Sequence, residues 1–129
     1  MIDHIGFAVA DFSRSRDFYV KVLAPLGFVP VMDVTREQSG SYEGTGFGAP
    51  GRSQFWIGTG DTHDGKMHIA FAATSRAAVD AFYRAAIAAG ARDNGPPGVR
   101  SNYHPNYYGA FVFDPDGHNI EAVCHAPAT

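Results

Sequence analysis

The sequence predicts an α+β fold of two tandem βαβββ modules, whose curved mixed sheets enclose a cleft. Three observations carry this. His4-Ile5-Gly6-Phe7-Ala8 returns as His68-Ile69-Ala70-Phe71-Ala72, and at the same offset Phe18-Tyr19 falls on Phe82-Tyr83. Residues 4–19 and 68–83 thus share six of sixteen positions, where chance supplies about one or two. Each copy then reads as a strand, an amphipathic helix and three short strands. Finally, a chain of 129 residues leaves each repeat too small to stand alone, so the two must share a core. The predicted modules are 1–58 and 67–125, joined by a linker at 59–66, in one domain spanning 1–129.

Residues Ile2 to Ala10 are apolar at nearly every position and stop at Asp11, which predicts a strand covered on both faces. From Ser13 the period changes. Phe18, Tyr19, Val22, Leu23 and Leu26 recur at helical spacing, Asp11 or Ser13 can cap the start, and Pro25 to Gly27 ends the helix. Phe28–Val34, Ser41–Gly48 and Gln54–Gly58 read as strands separated by polar residues and by Ala49-Pro50-Gly51. The second module repeats the order: strand Met67–Ala73, a helix capped by Ser75 with Val79, Phe82, Tyr83, Ala86 and Ile87 on its face, and a stop at Gly90. A loop over Asp93–Gly98 is predicted next, then strands near Val99–Tyr103, Tyr107–Phe113 and Asn119–Cys124. The turn Asp114-Pro115-Asp116-Gly117 joins the last two.

Composition narrows the function. Hydrophobic residues at 45% and charged residues at 18% describe a globular, soluble chain. With a net charge of -3 and its ten Lys and Arg scattered, it offers no basic stripe for a phosphate backbone, so nucleic acid is not expected as a partner. No apolar run approaches membrane-spanning length, and no export signal is read ahead of Ile2. The single cysteine, Cys124, calls for no oxidising compartment, and a cytoplasmic location is expected.

A cleft between related halves is where a small-molecule substrate binds. His4 opens the first strand and its repeat-mate His68 the equivalent strand, while Glu121 places a charge in the apolar strand Asn119-Ile120-Glu121-Ala122-Val123. Two imidazoles and a carboxylate on one side of a divalent ion leave coordination positions open for chemistry. Taken singly, each has a plainer reading: a surface histidine, or a glutamate paired with Arg52 or Arg100. Tyr103-His104-Pro105-Asn106-Tyr107-Tyr108 is the other unusual run. It reads either as a pocket wall of Tyr103, Tyr107 and Tyr108, with His104 as a general acid or base beside a catalytic Glu121, or as a rigid aromatic connection. His63 and His118 are expected in solvent. His125 shares parity with Glu121 but lies about 13 Å along an extended strand, too far to share an ion.

The stretches Asp3–Asp11, Phe18-Tyr19, Met67–Phe71 and Asp114–Glu121 resemble the vicinal oxygen chelate superfamily of glyoxalase I, fosfomycin-resistance thiol transferases, extradiol dioxygenases and bleomycin-resistance proteins. The resemblance covers essentially the whole chain. It implies the glyoxalase/bleomycin-resistance/dioxygenase fold and a homodimer, with units paired within a chain or exchanged between chains. It also implies metal ligands at His4, His68 and Glu121 for Zn, Mn, Ni, Co or Fe. A fourth ligand is the point of departure, because aligning Pro50 with Pro115 sets Trp56 opposite Glu121, and an indole cannot ligate a divalent ion. Trp56 is expected to form an aromatic wall of the pocket. The fosfomycin-resistance pattern also breaks at Gly6 and Phe111, where a hydroxyl residue and a tyrosine are expected. The resemblance therefore implies a glyoxalase-like lyase or isomerase. The alternatives are a sequestering protein of the bleomycin-resistance type without a catalytic metal, and an extradiol dioxygenase with Fe(II).

Overall fold

The repeat in the sequence is a repeat of topology. In the computed structural model, which describes residues 1–128, the first module runs β1 (Ile5–Ala8), α1 (Phe12–Leu23), β2 (Val29–Val34), α2 (Arg36–Ser39), β3 (Gly44–Gly48) and β4 (Phe55–Gly58). The second runs β5 (His68–Ala72), α3 (Arg76–Ala88), β6 (Arg92–Val99), β7 (Tyr108–Phe113) and β8 (Asn119–Cys124). Each forms a four-stranded mixed sheet, in the orders β1-β4-β3-β2 and β5-β8-β7-β6. The first strand of each module lies parallel to its last. The expected α+β architecture of two βαβββ modules is what the chain forms.

Local chemistry explains the helices. The Asp11 carboxylate accepts from the Arg14 N–H at 3.1 Å, and Gly27, at φ 83°, supplies the left-handed residue that ends the first helical segment. The Ser75 hydroxyl caps α3 in the same way, accepting from the Ala78 N–H at 3.1 Å. The apolar faces are those the spacing predicts. Phe18, Tyr19, Val22 and Leu23 of α1 are buried, as are Val79, Phe82 and Ala86 of α3.

The two halves do share one core, within which Phe55 of β4 meets Phe71 of β5 edge to face at 5.1 Å. The Asp-Pro-Asp-Gly turn is clamped across the halves. The Asp114 carboxylate accepts from the Asp116 and His118 N–H groups at 3.0 and 2.8 Å, and from the Tyr19 hydroxyl of the other module at 2.6 Å. Burial, reinforced by the Asp114 charge, raises the Tyr19 phenol well above its ordinary pKa, so it stays a donor at any working pH.

Three expectations need correction. The first strand is not covered on both faces: Ile5 is 41% exposed, and none of the 4 residues of β1 is fully buried. An apolar run reports burial potential, and it cannot report which neighbours the fold supplies. The predicted loop over Asp93–Gly98 belongs to strand β6, and most of Val99–Tyr103 is turn. An edge strand with register shifts between Asp93 and Gly95 and between Gly95 and Gly98 accommodates Pro96 and Pro97, which a central strand would reject. His118, expected in solvent, is 3% exposed, stacked on His63 at 5.1 Å and packed against Phe7. Its Nδ1 accepts from the Met67 N–H at 3.1 Å. Among the described residues no helix is long and apolar enough to cross a membrane.

Candidate functional site

Along β8 the pleat divides the side chains. Ile120, Ala122 and Cys124 join the core, while Glu121 points to the opposite face and is still only 1% exposed. Strand pairing sets its surroundings. Glu121 lies opposite Ala70 of β5 and Phe111 of β7, and His68, two residues before Ala70, projects from the same face.

His68 Nδ1 lies 3.1 Å from the Asn119 carbonyl oxygen. A carbonyl only accepts, so Nδ1 carries the proton, and in the neutral imidazole Nε2 is a bare lone pair. That lone pair faces Glu121 Oε1 at 3.1 Å. Two acceptors do not rest against each other without a proton or a cation to share. The other carboxylate oxygen, Oε2, accepts from the Tyr107 hydroxyl. Gly109 makes this possible, since a Cβ there would lie 3.1 Å from Oε2 and 3.2 Å from the Tyr107 ring. Desolvation, followed by the bond to the Glu121 carboxylate, pushes the Tyr107 phenol up to about 12.

The donor set suits a divalent ion. Ligand atoms about 2.0–2.2 Å from one ion, at angles between 90 and 109°, lie about 2.8–3.6 Å apart, and Nε2 and Oε1 are 3.1 Å apart. The Asn119 carbonyl fixes the tautomer that leaves Nε2 free to ligate, as outer partners of metal-bound histidines do. His4 does not join them within one chain: it is exposed, with Nδ1 2.8 Å from Asp3. Among the described residues, no three His, Cys, Asp or Glu side chains converge as a metal-holding group.

The remaining candidates divide. Trp56 pairs with Gly6 as Glu121 pairs with Ala70, so it occupies the repeat-equivalent position. Its indole lies against Gly46, where a Cβ would come within 2.6 Å of the ring. Tyr103 is exposed and stacks edge to face on Tyr107 at 5.0 Å. His104 Nδ1 accepts from the Asn106 N–H at 3.0 Å, and its ring meets His125 rather than Glu121. Tyr108 projects from the helix side of its sheet, where its hydroxyl donates to Asp80 of α3 at 2.6 Å under Arg76. Neither Arg52 nor Arg100 pairs with Glu121. The sequence reading missed two features, the Asn119 carbonyl behind His68 and the Tyr107 bond to Glu121. Strand parity carried a signal for the second, because Tyr107, Gly109 and Phe111 alternate onto one face.

The sequence matches the family model of the Glyoxalase/Bleomycin resistance protein/Dioxygenase superfamily over residues 1–122. Among solved structures, a glyoxalase/bleomycin resistance protein from Albidiferax ferrireducens T118 is 29% identical with a TM-score of 0.78, covering 96% of this chain and 98% of that one. A glyoxalase I mutant from Zea mays superposes at a TM-score of 0.70 with 20% identity, over 99% of this chain and 45% of that one. A mutant fosfomycin resistance protein from Listeria monocytogenes, solved with Mn(II) and a dihydroxypropylphosphonic acid, superposes at 0.68 with 20% identity, over 95% of this chain and 90% of that one. No curated protein matches the chain.

Proposed function

The chain belongs to the glyoxalase/bleomycin resistance protein/dioxygenase superfamily, and from that premise we propose that it is a divalent-metal-dependent enzyme, a glyoxalase-like lyase or isomerase acting on a small substrate with neighbouring oxygens. One observation carries the proposal. The Asn119 carbonyl turns the His68 lone pair toward a buried carboxylate oxygen at 3.1 Å, an arrangement that a shared cation completes. His4 is the third ligand, contributed by a second copy of the chain. The edges support this: β1 and β5 each have one open side, and Ile2 and Ile5 are exposed beside His4. A twofold dimer that sets β1 of one copy against β5 of the other covers this apolar surface and brings His4 to His68 and Glu121.

Each residue then has a task. When bound, the ion supplies Lewis acidity to two adjacent substrate oxygens. Tyr107 holds Glu121 Oε2, so Oε1 alone faces the ligand position. With its pKa pushed up to about 12, Tyr107 does not ionise at neutral pH, and its single O–H stays committed to Glu121. Trp56, seated over Gly46, offers an aromatic wall that excludes water and selects flat substrates.

A second reading, a sequestering protein of the bleomycin-resistance type, draws on the same Trp56: the indole replaces a potential ligand and builds a binding floor in its place. Metal content separates the two. Chelator-stripped wild type reloaded with Zn or Mn should retain one ion per chain, and His4→Ala, His68→Ala and Glu121→Ala should each lose more affinity than the about 10–100-fold that loss of an outer partner costs. Mixing His4→Ala with Glu121→Ala chains should restore one site per mixed dimer, because that dimer rebuilds one complete trio. Equal metal in all four proteins would refute the enzyme reading and favour sequestration.

A further inference from the structure

Near Glu121 lies an arginine without a carboxylate. Arg16 and Arg36 pair with Asp33 and Glu43, but among the described residues Arg100 forms no ion pair. Its guanidinium is nonetheless held firmly. Two N–H groups donate to the Gly98 and Pro96 carbonyls at 2.8 and 2.7 Å, and its carbon lies 5.4 Å from the Phe111 ring centre. The seat is shaped for it, since a Cβ on Gly95 or Gly98 would stand 3.2 or 3.1 Å from the terminal nitrogens. Arg100 also sits beside the candidate site. Its backbone N–H donates to the Tyr107 carbonyl at 2.7 Å, continuing the ladder that carries the phenol holding Glu121. His68 stacks on the same Phe111 ring, 6.2 Å between centres.

A guanidinium stays charged at any working pH and presents a planar fork of five donors. Arg100 commits two of them to backbone carbonyls, and the rest are free. A half-buried cation, fixed over an aromatic face with no counter-charge, is a receptor for an anion that comes and goes. From this geometry we infer that Arg100 anchors an oxyanion group, carboxylate or phosphonate, of the molecule bound at this face, so the substrate class is anionic. Phe111 spans the two poles: the guanidinium and the His68 imidazole can be no further apart than the sum of their distances to that ring. A molecule long enough to pass the Phe111 ring would set its charged end on Arg100 and its oxygens toward His68 and Glu121. Only the second half of that pose rests on the metal reading above.

The test compares glycerate, which has a carboxylate beside vicinal hydroxyls, with glycerol, which lacks the charge, by calorimetric titration of metal-stripped and metal-loaded protein. Wild type should bind glycerate at least about tenfold more tightly than glycerol, the difference expected of one charge-assisted fork. Arg100→Met should abolish that preference without changing metal content, and Arg100→Lys should recover part of it. Inorganic phosphate should compete with glycerate in wild type and shift the NMR signals of the Arg100 Nε–H and the Gly95 and Gly98 amides. That last measurement needs no variant to fold. Wild type without a preference for glycerate, Arg100→Met retaining the preference, or phosphate leaving those signals unmoved would each overturn the inference. A glycerate preference in protein that fails to hold metal would support the anion anchor and sink only the metal reading.

Discussion

Replacing Tyr107 by Phe removes one oxygen and leaves the ring's packing against Tyr103 and His125 in place. Glu121, 1% exposed, then keeps His68 as its only polar side-chain partner among the described residues. A hydrogen bond to a charged, buried group contributes about 1.5–3 kcal/mol, so metal-stripped Tyr107→Phe should lose about 2 kcal/mol at pH 8, or about 6–8 °C in Tm for a domain of this size. The loss should require the carboxylate. In a Glu121→Leu background the same change should cost less than about 0.5 kcal/mol, giving a coupling of about 1.5–3 kcal/mol in the double-mutant cycle. Urea unfolding of the four proteins measures this, with unchanged m-values confirming a common unfolded state. Additive effects, within about 0.5 kcal/mol, would refute the claim that the phenol and the carboxylate act as a unit.

Two further outcomes follow from the same packing. The Tyr107 phenol, pushed up to about 12, should appear in the 295 nm difference titration between wild type and Tyr107→Phe, and should move down in Glu121→Leu. Because its folded pKa lies above the unfolded value of about 10, the associated stability is complete below pH 10 and is lost as pH rises toward 12; titration together with the exposed tyrosines would contradict the assignment. Gly46→Ala should displace the indole of Trp56, since a Cβ would stand 2.6 Å from the ring. Trp56 is the sole tryptophan, so intrinsic emission reports it directly: a red shift with Tm changed by less than about 5 °C is expected, and an unshifted spectrum would show that the ring is not seated there.

Much of the fold was legible because duplication supplies its own control. The repeat fixed both first strands and both helices, and the caps at Asp11 and Ser75 are local chemistry that any window of the sequence displays. Strand β6 was illegible for the opposite reason: Gly95, Pro96, Pro97 and Gly98 carry the composition of a loop, and only their place at the sheet edge lets them pair. At the site, aligning Pro50 with Pro115 made Trp56 the repeat-mate of Glu121, and the register reproduces this. The union of His68 with Glu121 depends on two strands distant in sequence lying side by side. Tyr107 and Tyr108 were read as one wall, yet adjacent residues on an extended strand face opposite sides, and these two bond to Glu121 and Asp80 respectively. The short helix at Arg36–Ser39, with its Thr35 and Gln38 capping box, falls in the segment read only as polar residues separating two strands.

The bond from Tyr19 to Asp114 gives neither half a complete set of polar partners for its own interior. A gene severed within the 59–66 segment would encode two fragments, each with its side of the shared core open to water. Mixing the fragments would supply the missing partners, so one half should rescue the other, and neither should persist in isolation. An ancestor encoding only one such half would have had to meet its own twin before it could fold.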